Sequence, residues 1–384
     1  MSPLQGVSIV GIGQIPVQKR NPKSLREMGV EALRLALNDA GIEQVDALFV
    51  GNMLADELQG QKHLAALLAS TAGLRGVEAL DVAAATGTGA AALRMAYLAV
   101  ASGAAHRAVA LGVEKMSDGN ATPALAKALD AEREVPSGAT LLSQNARLMQ
   151  LYLERYGLTA DALSYFPWHA HRNARTNPNA IFRDKEVSLD DIRASRVITP
   201  PIRLYDAAPI CDGAAAVVLA PTSEARAYTP QPVNVLGSSV ATDWFCLDDR
   251  PDPFQLYAVQ RSAHEAFRAA NVHRSDIDLF ETHDAFSIMT CLSLEALGYA
   301  APGQGWRLAA EGVIALDGAL PTSTLGGLKA RGHPIGASAL YQTCEIVLQL
   351  TGRAGPNQVA NARLAMLLSV GGVASTAITH IFGV

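Results

Sequence analysis

The sequence predicts a layered α/β fold built from two related halves, and three observations carry that prediction. Apolar runs of strand length alternate with stretches of helical periodicity along most of the chain. The strand-length runs are apolar at nearly every position, as expected of strands covered on both faces. The pattern of the first third also returns later. 40-AGIEQVDALFVGN-52 is echoed by 270-ANVHRSDIDLFETHD-284. 85-ATGTGAAALRMAYLAVASGAAHRAVALGVE-114 is echoed by 332-GHPIGASALYQTCEIVLQLTGRAG-355 followed by 363-RLAMLLSVGG-372. A repeat unit this long is a duplicated domain, not a solenoid.

Taken in order, VSIVGIG (7–13) reads as a buried strand. Residues 24–41 place Leu25, Met28, Val30, Leu33 and Leu37 at helical spacing, and Gly41 closes the helix. DALFVGN (46–52) is the next strand, 89–103 a helix ending at Gly103, and HRAVALGVEK (106–115) another strand. Residues 116–204 differ: they are richer in charge and in Asn, His and Arg, with helical stretches at 138–156 and 159–176. They read as an insertion covering one face of the first half. 205-YDAAPICDGAAAVVLAP-221 is a turn leading into a buried strand. The halves are therefore expected at 1–230, with the insertion near 116–204, and at 231–384.

Composition narrows the function classes. With 384 residues, 49% hydrophobic and 17% charged, the chain can bury a large core, and disorder is excluded. A net charge of −5 argues against nucleic acid or an anionic membrane as a bulk partner. The most apolar region, 83–113, is broken by glycine and carries Arg94 and Arg107, so no membrane span is expected. Cys211, Cys246, Cys291 and Cys344 form no CxxC pair, which excludes a zinc knot and a redox dithiol and fits a reducing cytoplasm. The opening MSPLQGVSIVGIGQIP has no basic leader region, and the closing HIFGV is not a peroxisomal address, so a cytoplasmic protein is expected. His169 and His171 stand two residues apart without an evident third ligand, so no metal is expected. 10-VGIGQIP-16 lacks the third glycine of a dinucleotide fingerprint.

Four stretches can carry chemistry. Thr86-Gly87-Thr88-Gly89 turns sharply into a helix whose free N–H groups and positive dipole end would face a ligand. In 281-ETHDAF-286, His283 follows a strand's C-terminal end, where α/β proteins place ligands. 326-GGLKARGHPIGAS-338 is the most distinctive. It bends repeatedly, and Pro334 holds His333 out of helix, which suits a rigid base or oxyanion donor. In 368-LSVGGVAST-376, Ser369 is the only polar side chain before Gly371 and Gly372.

Together with VSIVGIGQIP, GVEKMSD (112–118), HRNARTNPNA (171–180) and CDGAAAVVLAP (211–221), these stretches resemble the thiolase superfamily over nearly the whole chain. They are nearest the sterol-carrier-protein type and its archaeal and bacterial relatives. The resemblance implies a duplicated fold in five layers, α-β-α-β-α, with an inserted loop domain. It maps the nucleophilic cysteine of the family onto Thr86 and the histidine that activates it onto His333. It maps the oxyanion-water histidine onto His283 and the second, acid/base cysteine onto Ser369. Gly332, Gly336, Ser338, Gly371 and Gly372 become candidate substrate-binding positions. The implied activity is acyl transfer by Claisen or retro-Claisen chemistry, with coenzyme A as part of the substrate and no bound cofactor. A homodimer formed near residues 76–86 and, in some relatives, a small OB-fold partner are implied as well.

Thr86 departs from the pattern. A thiol beside a helix N-terminus ionises readily, whereas a threonine hydroxyl stays protonated and is crowded at Cβ. Efficient thiolysis through an acyl-enzyme is then not expected. Two alternatives stand beside it: retro-aldol cleavage of a β-hydroxyacyl-CoA without acyl-enzyme, or a non-catalytic acyl-CoA-binding subunit.

Overall fold

Strands buried on both faces form the centre of the molecule. In the computed structural model, which describes residues 4–384, the first half runs β1 (Val7–Gln14), α1 (Leu25–Asp39), β2 (Ala47–Gly51), α2 (Ala55–Leu58), α3 (Leu64–Ala72), β3 (Glu78–Val82), α4 (Thr88–Ala101) and β4 (Ala108–Lys115). The first three residues of the opening stretch read above as leader-free lie outside the described residues. The insertion holds α5 (Ala121–Ala126), α6 (Leu141–Tyr156), α7 (Tyr165–Ala174), α8 (Leu189–Arg193) and the small hairpin β5 (Val197–Thr199)–β6 (Ile202–Arg203). β7 (Asp212–Pro221) then completes the first sheet. The second half runs β8 (Val233–Thr242), α9 (Tyr257–Ala270), β9 (Leu279–Glu281), α10 (Ser287–Ala296), α11 (Gly305–Ala310), α12 (Ile335–Leu350), β10 (Leu364–Gly371) and β11 (Thr376–Gly383).

Local chemistry explains the boundaries. Ser24 caps α1 and Glu27 returns the bond, a capping box stabilising the helix by about 1 kcal/mol. Gly41, with φ at 63°, follows the helix end where a left-handed residue is required. The helical pattern read over 159–176 resolves into a 3-10 turn (Ala160–Leu163) and then α7. α6 starts at Leu141, later than the periodicity suggests, because Thr140 and Ser143 form its capping box.

The two halves share one strand plan. In the first, order β3-β2-β4-β7-β1 has β2, β3 and β4 parallel and β7 and β1 antiparallel. In the second, β9-β10-β11-β8 repeats it, and the missing edge strand survives as a single parallel bridge from Phe280 to Thr322. The sheets also touch along one edge: Ser8 and Ile9 of β1 pair with Asn234 and Val233 of β8, so all nine strands form one hydrogen-bonded series. α4 and α12 lie between the sheets in one apolar core. α1 and α3 cover the outer face of the first sheet, and α9 and α10 that of the second. The layers run α-β-α-β-α.

The insertion departs from the sequence reading. α5 leans on the first half through Leu54, and Asn179 O accepts Val17 N–H at 2.9 Å. α6 instead buries Leu148, Met149, Tyr152 and Leu153 with Phe254, Ile288 and Leu292 of the second half. The stripe on α6 finds its complement there, and the insertion spans both halves.

Candidate active site

Each half presents one side chain at a helix tip. In the first, Ala85 takes φ 47°, a strained value for a residue with a Cβ, and Thr86 and Gly87 lead into α4. The Thr88 hydroxyl closes the turn, accepting from Ala84 N–H at 2.9 Å and donating to Ala85 O at 2.6 Å. Thr86 is buried, and its hydroxyl donates to Val370 O of β10 at 2.8 Å. The proton of Thr86 is thus committed to a backbone carbonyl.

In the second half, Gly332 takes φ 118° and His333 and Pro334 lead into α12. His333 N–H donates to Cys211 Sγ at 3.1 Å. Its Nδ1 lies 2.7 Å from Ser338 Oγ, and that hydroxyl donates its one hydrogen to Pro334 O at 3.0 Å. Nδ1 must therefore be the donor to Ser338, which leaves Nε2 with its lone pair free. Below, the Glu114 carboxylate accepts from Gly336, Met53 and Leu54 N–H and from Asn52 Nδ2, at 2.9–3.1 Å, and ties the start of α12 to the end of β2. Burial pushes the Glu114 carboxyl up to about 7, against the pull of those four donors.

His283 follows β9. Its neighbour Asp284 accepts Leu328 N–H at 2.7 Å and Lys329 N–H at 3.4 Å, while Lys329 Nζ donates back to Asp284 O. Gly327, at φ 54°, makes this fit possible: a Cβ there would sit 2.6 Å from Asp284 Oδ1. The π-turn Gly327–Arg331 so formed binds the ETHDAF and GGLKARGHP segments to each other. The rings of His283 and His333 meet edge to face with centroids 5.2 Å apart. Burial, then Lys329, takes His283 down to about 3. Burial, then His283, Arg331 and Lys329, holds His333 well below the ordinary imidazole range. Both rings are neutral at pH 7.

Behind them lies a buried ionic cluster. Arg331 Nε is 2.9 Å from Glu345 Oε1, an ion pair rather than an aligned hydrogen bond, and the guanidinium stacks on Tyr341 at 4.8 Å. Burial and then Glu345 push Glu281 up to about 8. Burial pushes Glu345 up to about 7 while Arg331 opposes it.

Thr86, His283, His333 and Gly372 line a common cavity of about 240 Å³. Its walls are mainly apolar, with Met116, Leu142, Ile198, Phe286, Met289 and Ile335 among them. Of the other sequence candidates, Ser369, Ser338, Gly332, Gly336 and Gly371 do not line it. Ser369 shares the face of β10 that carries Ala365 and Leu367 into the inner helical layer. Ser338 holds His333 from behind. Gly336 is a packing residue: a Cβ there would lie 2.5 Å from Gly51 O, and its own carbonyl nearly touches Gly89 and Gly112. Gly371 lets β10 approach Ala84, whose oxygen would be 2.5 Å from a Cβ. Gly332 is closed in by Val17. The insertion's share of the wall was not legible beforehand, because apolar residues at helical spacing read as core. Met116 and Ile335 lie inside quoted motifs, GVEKMSD and GGLKARGHPIGAS, but as apolar residues gave no sign of facing a cavity. All four cysteines are buried and free, and none lines the cavity.

Comparison with known proteins agrees with this architecture. Residues 7–223 match the family model for the thiolase N-terminal domain, and 239–384 match that for the thiolase C-terminal domain-like family. The chain is 41% identical over 382 residues to the acetyl-CoA acetyltransferase of Methanothermobacter thermautotrophicus, covering 99% of this chain and 100% of that one. It is 31% identical to sterol carrier protein 2 of Oryctolagus cuniculus, covering 97% of this chain and 72% of the relative. It is 30% identical to the benzoylsuccinyl-CoA thiolase subunit BbsB of Thauera aromatica, covering 95% and 94%. The solved Ltp2-ChsH2(DUF35) aldolase shares the fold, with TM-score 0.83 at 23% identity over 98% of this chain and 97% of that one. The two domain matches and a 41% identical relative covered end to end show that this chain belongs to the thiolase family.

Proposed function

We propose that the protein cleaves or forms a carbon–carbon bond next to a CoA thioester by aldol-type chemistry, without an acyl-enzyme. One observation carries this: Thr86, His283 and His333 meet at the cavity while every thiol lies elsewhere. A base and oxyanion donors are present, but no sulfur nucleophile.

In the cleavage direction His333 Nε2 takes the proton of a β-hydroxyl. The O–H electron pair becomes a carbonyl, the Cα–Cβ bond breaks, and its electrons move into the thioester as an enolate. The α4 N-terminus and a His283 N–H stabilise the enolate oxygen. The imidazolium then returns the proton to Cα, giving a shortened acyl-CoA and an aldehyde or ketone. The apolar walls suit a hydrophobic acyl group, and coenzyme A enters as part of the substrate.

A second reading, Claisen-type acyl transfer through Thr86, is supported by that residue's place at the helix tip and by relatives named acetyl-CoA acetyltransferase. Intact-mass measurement after incubation with acetyl-CoA and acetoacetyl-CoA separates the two. The aldol reading expects no acyl adduct, together with carbonyl product from a β-hydroxyacyl-CoA. An adduct on Thr86 with no such product overturns it. A homodimer belongs to the same reading, supported by β3 at the sheet edge with Leu80 turned outward. So does a partner protein, because the aldolase of similar fold is itself named as two proteins. Light scattering of the purified chain, alone and with a candidate partner, tests both.

A further inference from the structure

We propose that Lys329 is a positioning residue for the imidazole pair: its buried ammonium clamps the His283 segment to the His333 segment. The inference rests on the aldol reading only for what the pair does, not for how it is held.

The clamp is reciprocal. Lys329 Nζ donates to the carbonyl of Asp284, the residue after His283, and Asp284 Oδ2 accepts from the Lys329 backbone. Its ammonium also lies 3.9 Å from Asp284 Oδ2. Three residues separate Lys329 from His333, so one side chain fixes both motifs at the point where their rings meet. Lys329 is only 1% exposed, far too deep for a solvated surface charge. A buried lysine without a role would be replaced at little cost by an apolar side chain, whereas this one has groups arranged about it. Burial pulls the Lys329 ammonium down while Asp284 and Asp206 hold it up. Asp206 is itself held by Ser287 Oγ at 2.7 Å and Arg203 N–H at 3.0 Å. The remaining titratable neighbours are imidazoles: His171, His283 and His333 all feel Lys329, and Arg331 follows it on the same turn. For His283, Lys329 is the one charge that adds to burial.

The consequence is chemical. A protonated His283 would set a positive charge beside His333 and oppose the proton that His333 must accept. With a cation already behind it, His283 stays neutral and can serve as an N–H donor over the working pH range.

Histidine C2–H exchange followed by peptide mass spectrometry reads each imidazole in the resting protein without any substrate. In the wild type, His283 is expected to show no protonation midpoint above about 4. In Lys329→Met that midpoint rises by about one pH unit or more, and Lys329→Arg restores it. Alongside, kcat falls about tenfold or more in Lys329→Met with KM less affected, and Lys329→Arg recovers most of it. A folded Lys329→Met protein with an unmoved His283 midpoint overturns the proposal. Should that variant not fold, a wild-type midpoint near the ordinary value of about 6.5 overturns it equally. A shifted His283 in a protein that cleaves no β-hydroxyacyl-CoA would instead reject the aldol reading and leave the clamp standing.

Discussion

The two helix tips are the same device built twice. Ala85 and Gly332 both take positive φ, the next residue in each case faces the cavity, and the helix begins two positions further on. Their supports differ. The Thr86 tip is closed by its own turn through Thr88 and a single bond to Val370 O. The His333 tip is held by Ser338 behind the ring, Glu114 beneath the helix and the Asp284–Lys329 clamp beside it. Rigid support is concentrated at the tip that carries the proposed base. On the proposed reading the Thr86 tip, which carries a hydroxyl, supplies amides and a wall.

Four substitutions would break or sharpen that contrast. The largest effect is expected from His333→Gln, which removes the base: kcat should fall about 10²–10⁴-fold with the fold intact by circular dichroism. Next comes Gly336→Ala. Its Cβ would press on Gly51 O at 2.5 Å, so unfolding in denaturant should show a loss of about 2–3 kcal/mol. Ser338→Ala frees His333 Nδ1 and allows the other tautomer, and should lower kcat about tenfold with KM little changed. The smallest effect belongs to Thr86→Val. If the hydroxyl is a wall, kcat/KM on a β-hydroxyacyl-CoA stays within about threefold. A loss as large as that of His333→Gln would make the two tips equal partners and revive acyl transfer.

Much of this could be read from the chain. The both-face apolar runs at 108–115 and 212–221 became the central strands β4 and β7. The glycine turns at 86–89 and 332–336 became the two tips. What escaped depends on contacts between distant segments. Nothing local separates Gly336, needed for helix crossing, from Gly372, which lines the cavity, since both are glycines beside a motif. Ser338 looked like a ligand residue because its partner lies five residues back, on a turn whose shape sequence does not specify. Nothing in the local sequence separates Lys329 and Arg331 from surface charges. Only the folded turn shows them buried, one against Asp284 and the other against Glu345 and Tyr341.

The glycine crossing of α4 and α12 has a further consequence. Gly336 lies against Gly51, Gly89 and Gly112 with no side chain between, so the two inner helices share one contact point of bare backbone. Neither helix can slide or rotate there without colliding with the other. The spacing of the two helix starts is thus fixed by main-chain contact beneath the side-chain bonds that hold each tip, and substitutions in the cavity walls leave that contact untouched. The cavity lining and the helix crossing are thus separable: one can change shape while the other keeps its geometry.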